Sequence, residues 1–295
     1  MKIKSNRSDK AFLVIVYVVL TLVLIAILYP LYFVVLASFT DPAIVSLGQL
    51  YLLPKGIFME GYKTAFAYEP LWRGYANSAV YTLIGTIIST AVTVTAGYVL
   101  SRRDLVGRNV LMGFFTFTMF FGGGMISSYL LIQNLKLYDT MWALLLPAAV
   151  SVYNMIVCKT FFQQTIPQEL LDASRVDGAT DFTFYFRIVL PLSSTIIAVM
   201  ALYNATGRWN SYFDSMIYMR TSTKMPLQLV LRELLLLGAS TNSAERDPQL
   251  LAEANKRAMQ MKYCVIVLSS APMLMLYPFL QRFFVKGVMI GSIKE

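Results

Sequence analysis

Long apolar runs alternate with shorter polar segments along most of the chain. A helix that crosses a membrane requires about 20 mainly apolar residues, and backbone polar groups in lipid must be paired within their own segment. The pattern therefore predicts six membrane-crossing helices. The runs are Ala11–Ala37, Asn77–Leu100, Asn109–Leu131, Met141–Phe162, Ile188–Ala205 and Tyr263–Phe284.

Positive charges between these runs indicate the orientation of the chain, because Lys and Arg retain loops on the cytoplasmic side. Basic residues occur at the amino end, in the loop after the second run, in or beside the loop after the fourth, and at the carboxyl end. They are Lys2, Lys4, Arg7, Lys10, Arg102, Arg103, Arg108, Lys159, Arg175, Arg187, Arg282, Lys286 and Lys294. We expect a cytoplasmic tail at residues 1–10, a transmembrane domain at 11–285 with a cytoplasmic loop at 163–187, and a cytoplasmic tail at 286–295. The first run exceeds the 7–15 apolar residues of a cleavable signal, which predicts an uncleaved first span.

Composition supports a membrane protein. Hydrophobic residues make up 57% of the 295 residues and charged residues 14%, with a mean hydropathy of +0.60, whereas soluble domains carry roughly 25% charged residues. The net charge of +9 is explained by the basic loops and does not call for a nucleic-acid partner.

The chemistry available to the chain is limited. It contains no histidine, which excludes Ser-His triads and argues against most zinc sites, so we expect no catalytic residues and no bound metal. Cys158 and Cys264 both lie in apolar runs and are predicted to be small buried hydrophobes rather than a disulfide.

The energy source is predicted to lie on another polypeptide. None of the apolar runs contains Asp or Glu, whereas proton-coupled transporters usually need ionisable groups within the membrane. No Gly-x-x-x-x-Gly-Lys-Ser/Thr nucleotide loop is present. A stand-alone secondary transporter is the alternative interpretation, and it predicts intramembrane carboxylates and inverted repeats. A membrane enzyme would need a polar catalytic cluster at one membrane face.

The loop between the fourth and fifth runs has the pattern of a short helix outside the membrane. Thr165 and Gln168 have the spacing of a capping box, Pro167 fits the first turn, and Gly178 is a natural stop. The small residues Ala173, Ser174 and Ala179 predict a surface of low relief. Leu170 and Leu171 provide apolar side chains for contacts. From these residues alone, both a docking helix and an ordinary connecting loop remain open.

Five stretches carry a resemblance to a known family. Residues 167–179, Pro-Gln-Glu-Leu-Leu-Asp-Ala-Ser-Arg-Val-Asp-Gly-Ala, followed by Phe186-Arg-Ile-Val-Leu-Pro191, resemble the "EAA" coupling loop of permease subunits in binding-protein-dependent ABC importers. Phe121-Gly-Gly-Gly-Met125, Trp142–Pro147 and Trp209-Asn-Ser-Tyr-Phe213 are similar to the carbohydrate-uptake branch, specifically to the second, maltose-permease-like subunit of Gram-positive complex-oligosaccharide systems.

The resemblance implies an all-α integral membrane fold with six transmembrane helices and a short cytoplasmic coupling helix between spans four and five. That helix would lie in a groove of a cytoplasmic ATPase. Here Asp172 replaces the family's Glu and Ser174 its second Ala. The residues implied in coupling are Glu169, Leu170, Asp172, Ala173, Ser174, Asp177, Gly178, Ala179, Phe186 and Pro191.

The same resemblance implies partners and a location. The chain would pair with a second homologous permease, two ATPase subunits and an extracytoplasmic solute-binding protein in the lipid of a bacterial plasma membrane, with both termini cytoplasmic. It would pass a sugar, most simply an oligosaccharide. ATP and Mg²⁺ would bind to the ATPases, and this chain, which is not an enzyme, would bind no cofactor.

Two further clusters each allow two interpretations. Gly122, Gly123 and Gly124 interrupt the third run and predict either close packing or a kink, or an unwound turn that lines the pathway. Trp209, Asn210 and Tyr212 follow the fifth run and are typical either of the aromatic belt at the lipid boundary or of contact with a sugar or the receptor.

Overall fold

The structure, a computed structural model, describes residues 7–237 and 259–275 except Tyr51 and Lys55, together with Pro278. The described residues are helical or lie in turns, and no strand occurs among them. The helices before the third predicted span are α1 (Arg7–Phe39), α2 (Pro42–Ser46), α3 (Glu60–Ala67) and α4 (Glu69–Ser101). Next come α5 (Arg108–Phe120), α6 (Gly124–Asn134), α7 (Trp142–Leu145), α8 (Val152–Thr165) and α9 (Gln168–Val176). The others are α10 (Asp181–Phe184), a π-helical turn (Tyr185–Val189), α11 (Leu190–Leu192), α12 (Ser194–Asn210), α13 (Phe213–Tyr218), a 3₁₀ turn (Ser222–Lys224), α14 (Leu227–Leu237) and α15 (Met259–Met275).

The described residues fall into two compact units, with divisions after Tyr68, Arg232 and Ser270. In the first unit, the most apolar 18-residue segment of α1 has a mean hydropathy of 3.2, and none of its residues is buried. The carboxyl end of α1 packs at Leu36 and Ala37 against Val45 and Leu50, with Tyr263 beside them. An apolar helix with bare sides requires lipid or another protein around it.

The second unit is organised around α4, which packs along α8 and α12. Small side chains face these neighbours from α4: Gly74, Ser78, Gly85, Ser89, Thr93 and Gly97 are all buried. Small residues allow helix backbones to approach closely in membrane proteins. A Cβ atom on Gly97 would lie 2.5 Å from the Cβ of Cys158, so α4 and α8 cross at their backbones. Cys158 and Cys264 are both buried free thiols, as predicted.

Two helices, Asp9–Phe39 and Glu69–Ser101, are long and apolar enough to cross a membrane unaided. They correspond to the first two predicted spans. Among the described residues, the number of membrane-crossing segments rises to four only if each of two pairs of consecutive helices joined by a bend is counted as one crossing. The expected count of six therefore stays a prediction, and part of the sixth run (Tyr263–Phe284) lies outside the described residues.

The third and fourth runs each form two helices separated by a break and not one continuous helix. Helices α5 and α6 are bent by 110° at Phe121–Gly123, and Gly124 has a φ of +78°, a left-handed conformation that glycine adopts without a steric penalty. The fourth run is broken between α7 and α8. Pro147 lies in this break and lacks the N–H that a continuing helix needs, and Ser151 caps α8 by accepting a hydrogen bond from the Asn154 amide.

The fifth run also departs from a straight helix. Asp181–Leu192 and Ser194–Asn210 are bent by 78°, and the helix predicted to end at Ala205 continues to Asn210. Pro191 follows the π-helical turn and cannot donate to a carbonyl of that turn, which is the usual cause of a local break in helical hydrogen bonding.

Candidate functional site

Helix α9 begins and ends for local reasons. The prediction that Thr165 caps it is wrong, because Thr165 is the last residue of α8. A proline disfavours helical geometry in the residue before it, and Ile166 is accordingly extended (φ −109°, ψ 96°). Pro167 then takes the N-cap position, one residue before the predicted first turn, and makes no side-chain capping bond.

The carboxyl end of α9 stops at Gly178, as predicted. Gly178 has a φ of +77°, its amide donates to the Arg175 carbonyl at 3.0 Å, and the Ala179 amide donates to the Ser174 carbonyl at 2.9 Å. This pair of bonds is the Schellman arrangement, which requires a left-handed residue.

The inner face of α9 belongs to the core of the second unit. Leu171 is only 4% exposed and packs in the cluster that contains Phe162 and Phe184. Ser174 is buried, and its hydroxyl donates to the Leu171 carbonyl at 2.7 Å. Leu170 is half-buried against the same cluster, so these leucines attach α9 to the bundle.

The outer face of α9 is open to solvent. Glu169, Asp172, Ala173, Asp177 and Gly178 are exposed, while Ala179 is half-buried. Val176 is 88% exposed, and it was not among the residues predicted to act in coupling. An exposed apolar side chain beside small and acidic residues is a surface on which another protein can pack.

Four charged groups connect α9 to the ends of neighbouring helices. Arg175 lies 3.1 Å from Asp104 and 3.6 Å from Asp181, and Arg102 lies 2.5 Å from Asp104 and 2.9 Å from Asp181. The Arg102 side chain is 15% exposed. We call these four residues the ion-pair cluster. It links the loop after α4, the end of α9 and the start of α10.

Two members of the ion-pair cluster, Asp104 and Arg102, have shifted pKa values. The pKa of Asp104 lies well below its usual range, chiefly because Arg102 donates hydrogen bonds to its carboxylate and also because Arg175 does so. The pKa of Arg102 is raised, first by its hydrogen bond to Asp104. Asp104 and Arg102 are therefore both charged at neutral pH.

Phe186 and Pro191 lie next to this region but not on α9. Phe186 is 60% exposed in the π-helical turn, and Pro191 is exposed in α11. Tyr185 in the same turn shares a hydrogen bond of 2.8 Å with Thr95 of α4. Single π-helical turns occur frequently at functional sites.

A second site lies within the bundle, around Arg208 of α12. Its guanidinium donates to the Ser89 hydroxyl at 2.6 Å and to the carbonyls of Leu144, Leu145 and Ala148 at 3.4, 3.3 and 3.0 Å. These carbonyls lie at or beside the break in the fourth run. Because the helix is interrupted there, they lack helical donors, and Arg208 supplies the hydrogen bonds instead.

Glycine at position 85 makes room for this arginine. A Cβ there would lie 2.5 Å from both Cδ and Nε of Arg208. At 1.5 Å per residue, Ser89 lies about 30 Å from the start of α4 and about 18 Å from its end, which places the guanidinium well inside the helix pack.

A cavity of about 200 Å³ adjoins Arg208. Besides Arg208 itself, its wall includes the polar side chains of Ser78, Tyr81, Tyr203, Asn204, Ser211 and Asp214. The Asn204 amide donates to the Thr90 hydroxyl at 3.2 Å, and the Tyr81 hydroxyl donates to the Lys224 carbonyl at 3.0 Å, so both side chains are oriented by protein partners.

Asp139, which has a φ of +57°, is connected to the cavity wall through Lys224, whose carbonyl accepts a hydrogen bond from Tyr81. The Asp139 carboxylate accepts hydrogen bonds from the amides of Arg220 and Thr221, at 3.0 Å each, and from the Thr221 hydroxyl at 2.6 Å. Lys224 is paired with it at 3.0 Å. The Thr221 hydrogen bonds hold the pKa of Asp139 well below its usual range.

The structure separates the remaining predicted residues. Gly122, Gly123 and Gly124 are exposed at the break between α5 and α6. Trp209 is buried, with its ring 6.0 Å from that of Tyr75, so within this chain its ring does not face lipid or an open pathway. The exposed Asn210 donates to the Thr206 carbonyl at 3.0 Å, and Tyr212 lies 6.0 Å from the Arg232 guanidinium.

Sequence reasoning missed Arg208 and the ion-pair cluster. Arg208 lies three residues beyond the predicted end of the fifth run and was counted with the loop. A usable signal was the spacing of Gly74 and Gly85, which are eleven residues or about three helical turns apart and so share one face of α4. Within the described residues, no group of three acidic, Cys or His side chains has the arrangement of a metal site.

Comparison with known proteins identifies the family. No family model matches the chain. The chain is 37% identical over 265 residues to Protein LplC of Bacillus subtilis, covering 90% of this chain and 88% of that protein. It is 34% identical over 288 residues to the polygalacturonan/rhamnogalacturonan transport system permease protein YtcP of the same organism. That match covers 97% of this chain and 99% of YtcP.

A solved structure agrees with these relatives. The crystal structure of a bacterial ABC transporter involved in the import of the acidic polysaccharide alginate matches with a TM-score of 0.85 at 30% identity, covering 96% of this chain and 100% of that one. These relatives are transport subunits and not enzymes. The chain, an all-helical membrane protein, belongs to the carbohydrate-uptake branch of the permease subunits of binding-protein-dependent ABC importers.

Proposed function

We propose that this chain forms half of the membrane pathway of an ATP-driven oligosaccharide importer, and that α9 is its coupling helix. A second homologous permease completes the pathway, two cytoplasmic ATPases bind ATP and Mg²⁺, and an extracytoplasmic protein delivers the sugar. Closure of the ATPases on ATP moves α9 and opens the bundle outward, and hydrolysis returns it to the inward-facing state.

The observation that carries this proposal is the two-faced character of α9. Its inner face is buried through Leu171 and Ser174, and its outer face exposes Ala173 and Val176. Because one face of α9 is packed into the bundle and the other is free to bind an ATPase, a movement of the ATPase would move α9 together with the bundle. The ion-pair cluster adds contacts from Arg175 to Asp104 and Asp181, so motion of α9 reaches α4 and α10.

The topology proposed with this function has six crossings and both termini in the cytoplasm of a bacterial cell. The tails at 1–10 and 286–295 and the loop at 163–187 are then cytoplasmic. Coupling is assigned to α9 with its flanking Asp177, Gly178 and Ala179, and to Phe186 and Pro191. Contact with the pathway or the receptor remains proposed for Gly122, Gly123, Gly124, Asn210 and Tyr212. Trp209 is buried, and its proposed role is to pack beneath Asn210 and Tyr212.

The sugar class is supported by relatives named for carbohydrate transport. Besides the polygalacturonan/rhamnogalacturonan permease, one relative is an arabinooligosaccharide permease of Halalkalibacterium halodurans at 27% identity. Since the named sugars range from neutral to acidic, the proposal at this level is an oligosaccharide.

ATP-driven uptake in proteoliposomes tests the proposal. Ala173→Trp places a large side chain on the outer face of α9, and we expect it to abolish uptake while sugar binding by the receptor is unchanged. Ala67→Trp is the matched control, because Ala67 is also exposed on a helix but lies in the predicted outer loop. Uptake by the wild-type chain without any ATPase would instead support a secondary transporter.

A further inference from the structure

The cavity beside Arg208 combines a fixed positive charge with groups that suit a sugar. We propose that it binds the carboxylate of an acidic sugar unit, such as a uronic acid, as the sugar passes through the bundle. This inference rests on the proposed transport function and narrows its substrate class.

The first support is the unneutralised charge of Arg208. In the part of the chain that the structure describes, no carboxylate oxygen lies within 4.0 Å of its guanidinium, and its partners are one hydroxyl and three carbonyls. Neutral acceptors satisfy its hydrogen bonds without forming an ion pair with it. A charge within a membrane bundle is costly and usually marks a substrate or ion path.

The second support is preorganisation. Ser89 and three carbonyls fix the guanidinium from one side, and the same side chain borders the cavity. Rotamer entropy is therefore already lost before a ligand arrives, which favours binding. Arginine is well suited to carboxylates because its planar donors match their geometry.

The third support is the rest of the wall. Ser78, Tyr81, Asn204 and Ser211 provide hydroxyl and amide groups for sugar hydroxyls, and Tyr203 is an exposed aromatic ring for the C–H face of a pyranose. About 200 Å³ is below the roughly 300–1,000 Å³ of pockets that enclose a whole drug-sized ligand. The cavity therefore accommodates one unit of a longer chain at a time.

Asp214 sets the selectivity. It is the one acidic residue that lines the cavity in the described structure, and its charge opposes small anions that lack any other contact. A uronic acid can place its carboxylate at Arg208 and offer a hydroxyl donor to Asp214. Simple anions without a hydroxyl donor, such as acetate or chloride, cannot satisfy both ends, so the pair selects for a charged sugar and not for charge alone.

Binding to the intact importer without its solute-binding protein tests this inference, since the receptor has its own selectivity. The complex is placed in lipid nanodiscs, and affinities are measured calorimetrically for digalacturonate and for the same disaccharide with both carboxyl groups reduced to alcohols. We expect wild type to bind the acid about tenfold more tightly, as one charge-assisted hydrogen bond provides. Arg208→Gln should abolish this preference while changing the affinity for the neutral disaccharide less than about twofold.

Two variants keep the test decisive if Arg208→Gln fails to assemble. Arg208→Lys retains the charge and should retain a preference for the acid, whereas Asp214→Asn removes the charge that opposes small anions and should let acetate compete with the acid for the cavity. Equal affinity of wild type for both disaccharides, or equal loss of both in Arg208→Lys, would mean that Arg208 only caps the carbonyls of the broken helix. Absence of ATP-driven uptake of either sugar by wild type would instead overturn the transport function itself.

Discussion

The backbone of α4 meets α8 at Gly97, where a Cβ atom would lie 2.5 Å from the Cβ of Cys158 and 3.1 Å from the Lys159 amide nitrogen. Neither neighbour is the end of a flexible side chain, so the two helices cannot keep this distance if position 97 gains a methyl group. The crossing lies in the cluster that also holds Leu171, and it therefore determines where α9 is attached.

Gly97→Ala should destabilise the chain by about 1–3 kcal/mol, the usual cost of overpacking. Thermal unfolding of the purified permease pair, followed by loss of monodispersity in detergent, measures the effect. Gly113→Ala is the matched control, because Gly113 lies in α5 with no atom within 4 Å of an added Cβ, and alanine is favoured over glycine in a helix. Equal midpoints for both variants would contradict the close crossing.

Gly178→Ala should clearly reduce ATP-driven uptake while lowering the thermal unfolding midpoint only slightly. No atom lies within 4 Å of an added Cβ, but the φ of +77° costs a residue with a side chain about 1–2 kcal/mol, and the Schellman end of α9 should loosen. Asn tolerates this conformation, so Gly178→Asn should retain more uptake.

Gly56→Ala is the control for this comparison, because Gly56 has a φ of +79° and equally open space but lies in the predicted outer loop. A loss of uptake as large as that of Gly178→Ala would show that any strained glycine has this effect, and would remove the argument for α9.

The ion-pair cluster should affect coupling more than assembly. Asp104→Asn leaves Arg102, whose side chain is 15% exposed, with Asp181 as its remaining acidic partner, and leaves Arg175 with the 3.6 Å contact alone. We expect several-fold slower uptake per complex, with ATP hydrolysis less dependent on the loaded receptor. Asp139→Asn, which alters a charged cluster connected to the cavity wall, should keep the ratio of uptake to hydrolysis. Identical ratios for both variants would contradict a transmitting role for the cluster.

The stability provided by Asp104 should depend on pH in a defined direction. Its pKa is lowered in the folded chain, so its contribution is complete above the unfolded value of about 3.9 and is lost as the pH falls through the lower folded value. The difference in unfolding midpoint between wild type and Asp104→Asn should thus be constant between about pH 5 and pH 7 and shrink below about pH 4. A difference that shrinks toward neutral pH would contradict the assignment.

The parts of the fold that were predictable depend on local patterns. The apolar runs around α1 and α4 gave helices that can cross a membrane, and Gly178 gave the end of α9, because each depends on nearby residues alone. The continuous fourth span was wrong because Pro147 lies in a break within an otherwise apolar run, whereas an interruption of the third run at Gly122, Gly123 and Gly124 was among the predictions.

The parts that could not be predicted depend on distant residues. Arg208 contacts Ser89 across 119 positions of the chain, and Arg175 contacts Asp104 across 71. Apolar periodicity contains no information about such pairs. Thr165 failed as a cap for a different reason: the extended geometry imposed before Pro167 outweighed the capping-box spacing.

Site-specific photo-cross-linking is the most direct test of the central claim that α9 touches an ATPase. A benzophenone amino acid replaces Val176, which is 88% exposed, and in a second chain it replaces Ile57, which is 81% exposed in the predicted outer loop. In intact cells that express the whole importer, the chain labelled at position 176 should form an adduct with the ATPase subunit, and the chain labelled at 57 should not. An adduct from position 57, or none from 176 in a complex that still transports, would contradict the account.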